Sequence, residues 1–296
     1  MNPPAGAAKP AARRFRVLLA GATGYIGRAV AQELIRRGHT VIAPVRASAG
    51  GARPDAALVA QALHGVTEVT LELTDARQTA QVLEGIAVDA VISCLASRTG
   101  VAADAWAVDH QANQNLLAAA QAAGARHFVL LSAICVQRPR VAFQQAKLAF
   151  EAALAQADIA HTIVRPTAYF KSLSGQIGRV QRGQPFLLFG DGEQTACKPI
   201  GEQDLARFLV DCLQDPATTN RVLPIGGPGP AITPRAQGEL LFALSGQTPR
   251  FRRVPLAIFD AARFALAPLG RVSTRCAAKA ELARIGRYYA TESMLL

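Results

Sequence analysis

The chain has 296 residues, 50% of them hydrophobic and 18% charged, enough to bury a sizeable core as one large unit or two closely joined subdomains. Its net charge of +11 calls for an anionic partner or an arginine-rich solvated surface. No charge-free apolar run reaches the roughly eighteen residues of a membrane span, and five cysteines (Cys94, Cys135, Cys197, Cys212, Cys276) without paired spacing argue against a disulfide framework or a zinc site and suit a reducing cytoplasm.

Residues 1–14, "MNPPAGAAKPAARR", are basic but lack the apolar stretch of a secretory signal, so a disordered tail is expected. "RVLLA" (16–20) is an apolar run ending at glycine, the pattern of a buried parallel strand. "RAVAQELIRRGH" (28–39) has helical periodicity and stops at Gly38. Strands follow at 40–45, 69–73 and 89–96, with Thr74 or Asp75 as the cap of the helix after the third. A long helix is expected over 106–124, a fifth strand over 127–134, a helix over 143–157 and a sixth strand over 161–167. Strands alternating with helices imply an α/β fold, a Rossmann-type doubly wound parallel sheet with right-handed crossovers. After Thr167 the rhythm breaks, and Pro and Gly become frequent. The expected division is a dinucleotide-binding subdomain at 15–167 and a smaller, closely packed substrate-binding subdomain at 168–296, lying over the sheet's C-terminal edge.

"GATGYIG" (21–27) directly follows the first strand and opens the first helix. In that context Gly21 permits the tight turn, Gly24 lets the backbone approach a pyrophosphate, and Gly27 lets helix and strand pack closely. Ala22, Thr23, Tyr25 and Ile26 complete the loop, whose helix N-terminus offers N–H groups to phosphate. An NAD site would place an acid at the end of the second strand. Here "APVRAS" supplies Arg46, whose planar fork suits a 2′-phosphate, and Arg28 could assist, so the expected cofactor is NADPH. The G-x-x-G-x-x-G spacing resembles the short-chain dehydrogenase/reductase superfamily in its extended or atypical branches. That resemblance puts Glu72 and Leu73 beside the adenine and Cys94, Leu95 and Ala96 on the ribose side.

"FQQAK" (143–147) decides the chemistry. In that superfamily a tyrosine four residues before the lysine protonates a carbonyl oxygen, and the lysine holds the cofactor's ribose. Here Lys147 is present but the tyrosine position is Phe143. Ser132, at the end of the fifth strand, therefore has no tyrosine with which to form the usual trio. Ketone reduction and epimerisation move protons on oxygen and are disfavoured, whereas a carbon–carbon double bond needs only hydride, a place for negative charge, and a proton to carbon. Phe143, Ala146, Lys147 and Phe150 share one helix face, which draws the lysine inward.

Longer stretches are more specific. "VISCLASRTG", "DAWAVDHQANQNLLAAA", "HFVLLSAICVQRP", "FQQAKLAFE", "IVRPTAYFKSLSGQI", "FGDGEQTACKPIGEQDLA", "LPIGGPGP" and "KAELARIGRYYATESML" together resemble the NADPH-dependent divinyl chlorophyllide a 8-vinyl reductases, from about Arg16 almost to the end. The resemblance implies reduction of the C8 vinyl group of a Mg-tetrapyrrole, divinyl chlorophyllide or protochlorophyllide, to ethyl in chlorophyll or bacteriochlorophyll synthesis. It also implies a chain that runs on past "ESML", where this one stops at Leu296. Lys147 and Tyr169 are then the candidate catalytic residues, with Lys147, Tyr169 or water giving the proton. Phe143, Tyr169 and Phe170 would offer flat surface to the tetrapyrrole, and Lys171 or Lys198 would meet its propionate.

Two other readings stay open. One is a double-bond or ether reductase of the isoflavone-reductase-like type; the other is a non-catalytic module that senses NADP. Nine basic residues and two acids lie between Arg250 and Arg287. An anionic membrane, an acidic substrate or a plain solvated surface could account for them. No zinc-finger or aromatic RNA-binding signature accompanies the charge, so no nucleic acid partner is expected. The expected location is cytoplasmic, with peripheral contact to a photosynthetic membrane left open.

Overall fold

The computed structural model describes residues 13–47, 55–271 and 273–295. Most of the expected basic tail lies outside them, but Arg13 is placed, with its guanidinium carbon 5.0 Å over the Phe15 ring. Strand β1 (Arg16–Ala20) is followed by α1 (Tyr25–Arg36), β2 (Thr40–Val45), α2 (Ala56–Ala62), β3 (Thr67–Thr70), α3 (Ala76–Leu83) and β4 (Ala90–Ser93). Next come α4 (Ala102–Ala105), a π-helical stretch Trp106–Ala112 and α5 (Asn113–Ala122), which form one continuous helical run. Then β5 (His127–Leu131), α6 (Ala142–Gln156) and β6 (Ala160–Pro166) complete the regular alternation.

All neighbouring strands of the main sheet are parallel, in the order β3-β2-β1-β4-β5-β6-β8, with β8 at Arg221–Ile225. The order reverses between β1 and β4, and in such sheets that switch point opens a ligand crevice. Helices cover both faces, which explains why β1 from Val17 to Ala20 and β4 from Ala90 to Ile92 are continuously apolar rather than alternating. One core, with Val30, Leu34 and Leu209, lies on the α1 face. The other, with Leu116, Phe128, Phe150 and Leu154, lies beneath α5 and α6.

Some expected boundaries shift for identifiable reasons. Helix α1 starts at Tyr25, not 28, so Gly27 already sits in its first turn. Strand β3 lies on the sheet edge and ends at Thr70; Leu71 and Leu73 are buried beyond it as the chain turns toward Asp75, whose side chain caps α3 by accepting from Gln78 N at 2.9 Å. Strands β4 and β5 also stop early, at Ser93 and Leu131, where the backbone leaves the ladder to form the crevice.

The chain does not leave the main sheet for good after β6. After β6 the chain makes α7 (Phe170–Leu173), α8 (Ile177–Gln181) and β7 (Phe186–Phe189), then returns to the main unit. Helix α9 (Glu202–Asp211) packs on α1, contributing Leu205, Leu209 and Val210 to the same core, and β8 extends the sheet beyond β6. Only then come α10 (Pro234–Leu244), β9 (Phe251–Val254), α11 (Ala257–Leu266) and α12 (Thr274–Thr291). Strands β7 and β9 pair in parallel as a small second sheet over a sparse core of Val180, Phe186, Leu188 and Phe242.

Candidate active site

The glycine loop has the geometry of a phosphate cradle. Gly21 has φ +78°, and a Cβ there would lie 2.6 Å from the carbonyl oxygen of Cys94 at the end of β4. A Cβ on Gly27 would lie 2.1 Å from the carbonyl oxygen of Gly21. Neither position accepts any other residue without moving backbone. Gly24 is extended and places no side chain on the first turn of α1, whose N–H groups are thereby left to a ligand. The loop therefore fits a dinucleotide pyrophosphate. Arg46 is exposed just beyond the end of β2. Arg28 is instead ion-paired with Asp55 at 2.8 Å, so its charge is shared with that carboxylate. Leu73 is buried and its carbonyl accepts from Asn115 Nδ2 at 2.8 Å; Leu95 is half-buried and Ala96 exposed on the turn after β4.

Lys147 is drawn inward, as its register on α6 implies. Its ammonium lies 2.8 Å from Asp109 Oδ1, with 11% of the lysine side chain and none of the aspartate's exposed. The approach is off-line for a directed hydrogen bond, so the contact is an ion pair. Asp109 sits in the π-helical stretch, a device that recurs where a helix must carry a functional group. Its Oδ2 accepts from Ser97 N at 3.3 Å, tying the turn after β4 to the same carboxylate. Sequence reading missed Asp109. The signal was there: it shares the buried stripe of Ala112, Leu116 and Ala120, where a carboxylate needs a partner.

Ser132 is engaged by a different carboxylate. Its hydroxyl donates to the buried Glu151, which also holds Arg165. Phe143 packs over Gly100 beside Ile285 of α12. Gln144, also overlooked, is fully buried: its Oε1 accepts from Arg140 N at 2.7 Å and its Nε2 donates to Cys135 O at 2.8 Å. It shapes the turn between β5 and α6.

A cavity of about 360 Å³ opens between the ends of β5 and β6 and the C-terminal segment. Cys135, Tyr169 and Leu173 form one wall; Cys197, Tyr289 and Met294 form another. Tyr169 is half-exposed as a residue, but its hydroxyl is enclosed. Burial pushes it well above the usual phenol range, reinforced by Cys94, Cys135 and Tyr25. The Cys94 thiol is pushed up to about 12 by burial, against the pull of Lys147. Burial also raises Tyr289, whose hydroxyl lies 4.0 Å from Cys135 Sγ. Tyr169 thus links the cavity to the glycine loop: it lines the cavity wall, and its ring lies 6.3 Å from that of Tyr25.

The cavity wall is formed without Phe143, Phe170, Lys171 or Lys198. Phe170 is exposed, and the Lys171 ammonium lies 4.5 Å over the Tyr25 ring, toward the glycine loop rather than the cavity. Tyr25 in turn donates to Glu202 at 2.6 Å and its hydroxyl is raised to about 12, chiefly by burial. Lys198 is exposed, one residue beyond Cys197 of the wall. The final residues, which sequence reading left without a role, close the cavity. Met294 N donates to Ala196 O at 2.9 Å, and the buried Glu292 pairs with Arg138 and Arg140 at 3.0 and 2.8 Å.

A parallel sheet with a glycine turn at its switch point, and an inward lysine held by a carboxylate that anchors the turn after β4, belongs to the Rossmann-type NAD(P)H-dependent oxidoreductases. The NAD(P)H-binding family profile matches residues 21–216. Leucoanthocyanidin reductase from Vitis vinifera, solved with NADPH, shares the fold with a TM-score of 0.69 at 18% identity, over 93% of this chain and 88% of that one. Within that class the sequence is more specific. It is 48% identical over 99% of its length to the chloroplastic divinyl chlorophyllide a 8-vinyl-reductase of Oryza sativa subsp. indica, covering 75% of that protein. It is 46% identical over 95% of its length to that of Arabidopsis thaliana, covering 70%. The chain belongs to the divinyl chlorophyllide a 8-vinyl-reductase family.

Proposed function

We propose that the protein reduces the C8 vinyl group of divinyl chlorophyllide a to ethyl, using NADPH. The observation that carries this is the lysine without its tyrosine: Lys147 is held by Asp109, whose carboxylate also anchors the turn after β4, and Phe143 packs against Gly100 and Ile285 with no acid in its place. A site built this way lacks the tyrosine that, four residues before the lysine, would protonate a carbonyl oxygen. A conjugated vinyl group does not need one, because the macrocycle spreads the negative charge. The bound nicotinamide supplies the hydride. Asp109 keeps Lys147 in place for the ribose hydroxyls. Tyr169, at the junction of loop and cavity, stays protonated and gives the proton to carbon. The apolar cavity orients the vinyl-bearing edge and excludes water, so that positioning does most of the work. Arg46 meets the 2′-phosphate, and Lys198 is the cation left to pair with the propionate once Lys171 is turned to Tyr25. The protein works in the cytoplasm, in peripheral contact with a photosynthetic membrane.

The test is incubation of the purified protein with NADPH and divinyl chlorophyllide a. The expected product is the 8-ethyl compound, read as a mass gain of two hydrogens and a blue-shifted Soret band, with stoichiometric NADPH oxidation. Folded, NADPH-binding protein that leaves the vinyl group intact would point to another double-bond reductase or to a non-catalytic NADP-binding module.

A further inference from the structure

We propose that the outer face of α11 docks the protein on an anionic lipid surface. This deepens the membrane contact proposed above, but it rests on α11 and its surroundings rather than on the substrate. None of the ten residues of α11 is buried. Its inner side is spoken for: Phe259 stacks on Phe189 at a ring distance of 5.0 Å and lies against Gly286 of α12. At helical spacing, Ala257, Ile258, Ala261, Phe264 and Ala265 fall on the opposite side, within an arc of roughly 120°. All five are exposed, with Ile258 at 53% and Phe264 at 67%. Leu269, just beyond the helix, is 51% exposed. Together they make a continuous apolar strip with no polar residue in it.

The flanks of the strip are basic. Arg252 and Arg253 are exposed on β9 immediately before α11, and Arg275 and Lys279 are exposed on α12. The Arg263 guanidinium carbon lies 4.9 Å over the Phe264 ring, which leaves a cation beside the most exposed aromatic side chain of the strip. The two acids of the region are neutralised internally, Asp260 by Arg287 at 2.8 Å and Glu281 by Arg284 at 3.0 Å. An apolar helical strip edged by arginine is the pattern that inserts at the headgroup boundary of an anionic bilayer. A nucleic acid would use the arginines but not the strip. The placement also serves the cavity: α12 packs on α11 and carries Tyr289 at the cavity wall, so the docked face lies one helix away from the substrate space.

The experiment is flotation of the full chain with vesicles, without substrate. Wild-type protein is expected to float with phosphatidylglycerol–phosphatidylcholine vesicles and to stay behind with phosphatidylcholine alone. The double variant Ile258→Ser/Phe264→Ser should lose vesicle affinity by about 10-fold or more while its NADPH affinity, the folding control, is unchanged. Arg252→Gln/Arg253→Gln should weaken binding to anionic vesicles selectively. The proposal is overturned if wild-type protein ignores anionic vesicles, if the serine variant floats like wild type, or if light scattering shows the serine variant turning a dimer into a monomer with no vesicle binding by either form. None of these outcomes bears on vinyl reduction assayed in detergent.

Discussion

Replacing Asp109 by asparagine tests the centre of the site. The change keeps the side chain's shape but leaves the Lys147 ammonium without its counter-charge, at 11% side-chain exposure. Removing one partner of a buried pair costs about 3–5 kcal/mol; the off-line contact and the residual exposure of the lysine put this pair near ~3. A chain of this size loses about 2–4 °C in Tm per kcal/mol, so a fall of ~6–12 °C is expected by differential scanning fluorimetry. The displaced lysine should also raise KM for NADPH by about 10-fold, with a smaller change in kcat. A second variant separates folding from function. Lys147→Met/Asp109→Leu replaces the pair by apolar side chains, which is often neutral or stabilising, so Tm should recover while turnover stays lost. An Asp109→Asn protein with Tm within about 2 °C of wild type and unchanged KM for NADPH would refute the role given to this carboxylate.

Three other expectations follow from the same geometry. Lys147→Ala should abolish turnover, whereas Phe143→Tyr should leave vinyl reduction possible without creating a ketone reductase; wild-type rates in Lys147→Ala would make the lysine a bystander. Arg46→Asp should weaken NADPH use strongly, and an unchanged NADPH/NADH ratio of kcat/KM would remove Arg46 from the cofactor site. Burial raises the thiols of Cys94, Cys197 and Cys212 to about 12, 11 and 11. Folded values above unfolded ones mean that their contribution is complete below about pH 8.5 and is lost as pH climbs through that range. Tm should therefore decline steadily above about pH 9, and a flat profile to pH 11 would contradict this burial.

What the sequence determined by itself was local. Apolar runs alternating with helical segments placed β1, β2, β4, β5 and β6, because a strand covered on both faces needs few polar residues. The glycine loop was legible because Gly21 and Gly27 have physical jobs at fixed spacing: a turn at φ +78° and a Cβ-free approach of helix to strand. Lys147 could be drawn inward from register alone, since Ala146 and Phe150 mark the buried side of α6. The tertiary structure decided everything that depends on distant partners. Asp109 meets Lys147 across 38 positions of chain only because β4 and β5 are neighbours in the sheet, and no periodicity encodes that contact. The turn of Lys171 onto Tyr25, the pairing of Glu292 with Arg138 and Arg140, and the seating of Met294 beside Ala196 bring together segments far apart in sequence. The return of α9 and β8 was equally hidden. A strand at the sheet's edge is specified less by its own half-exposed residues than by the free edge of β6 it pairs with, and that edge exists only once the sheet has formed.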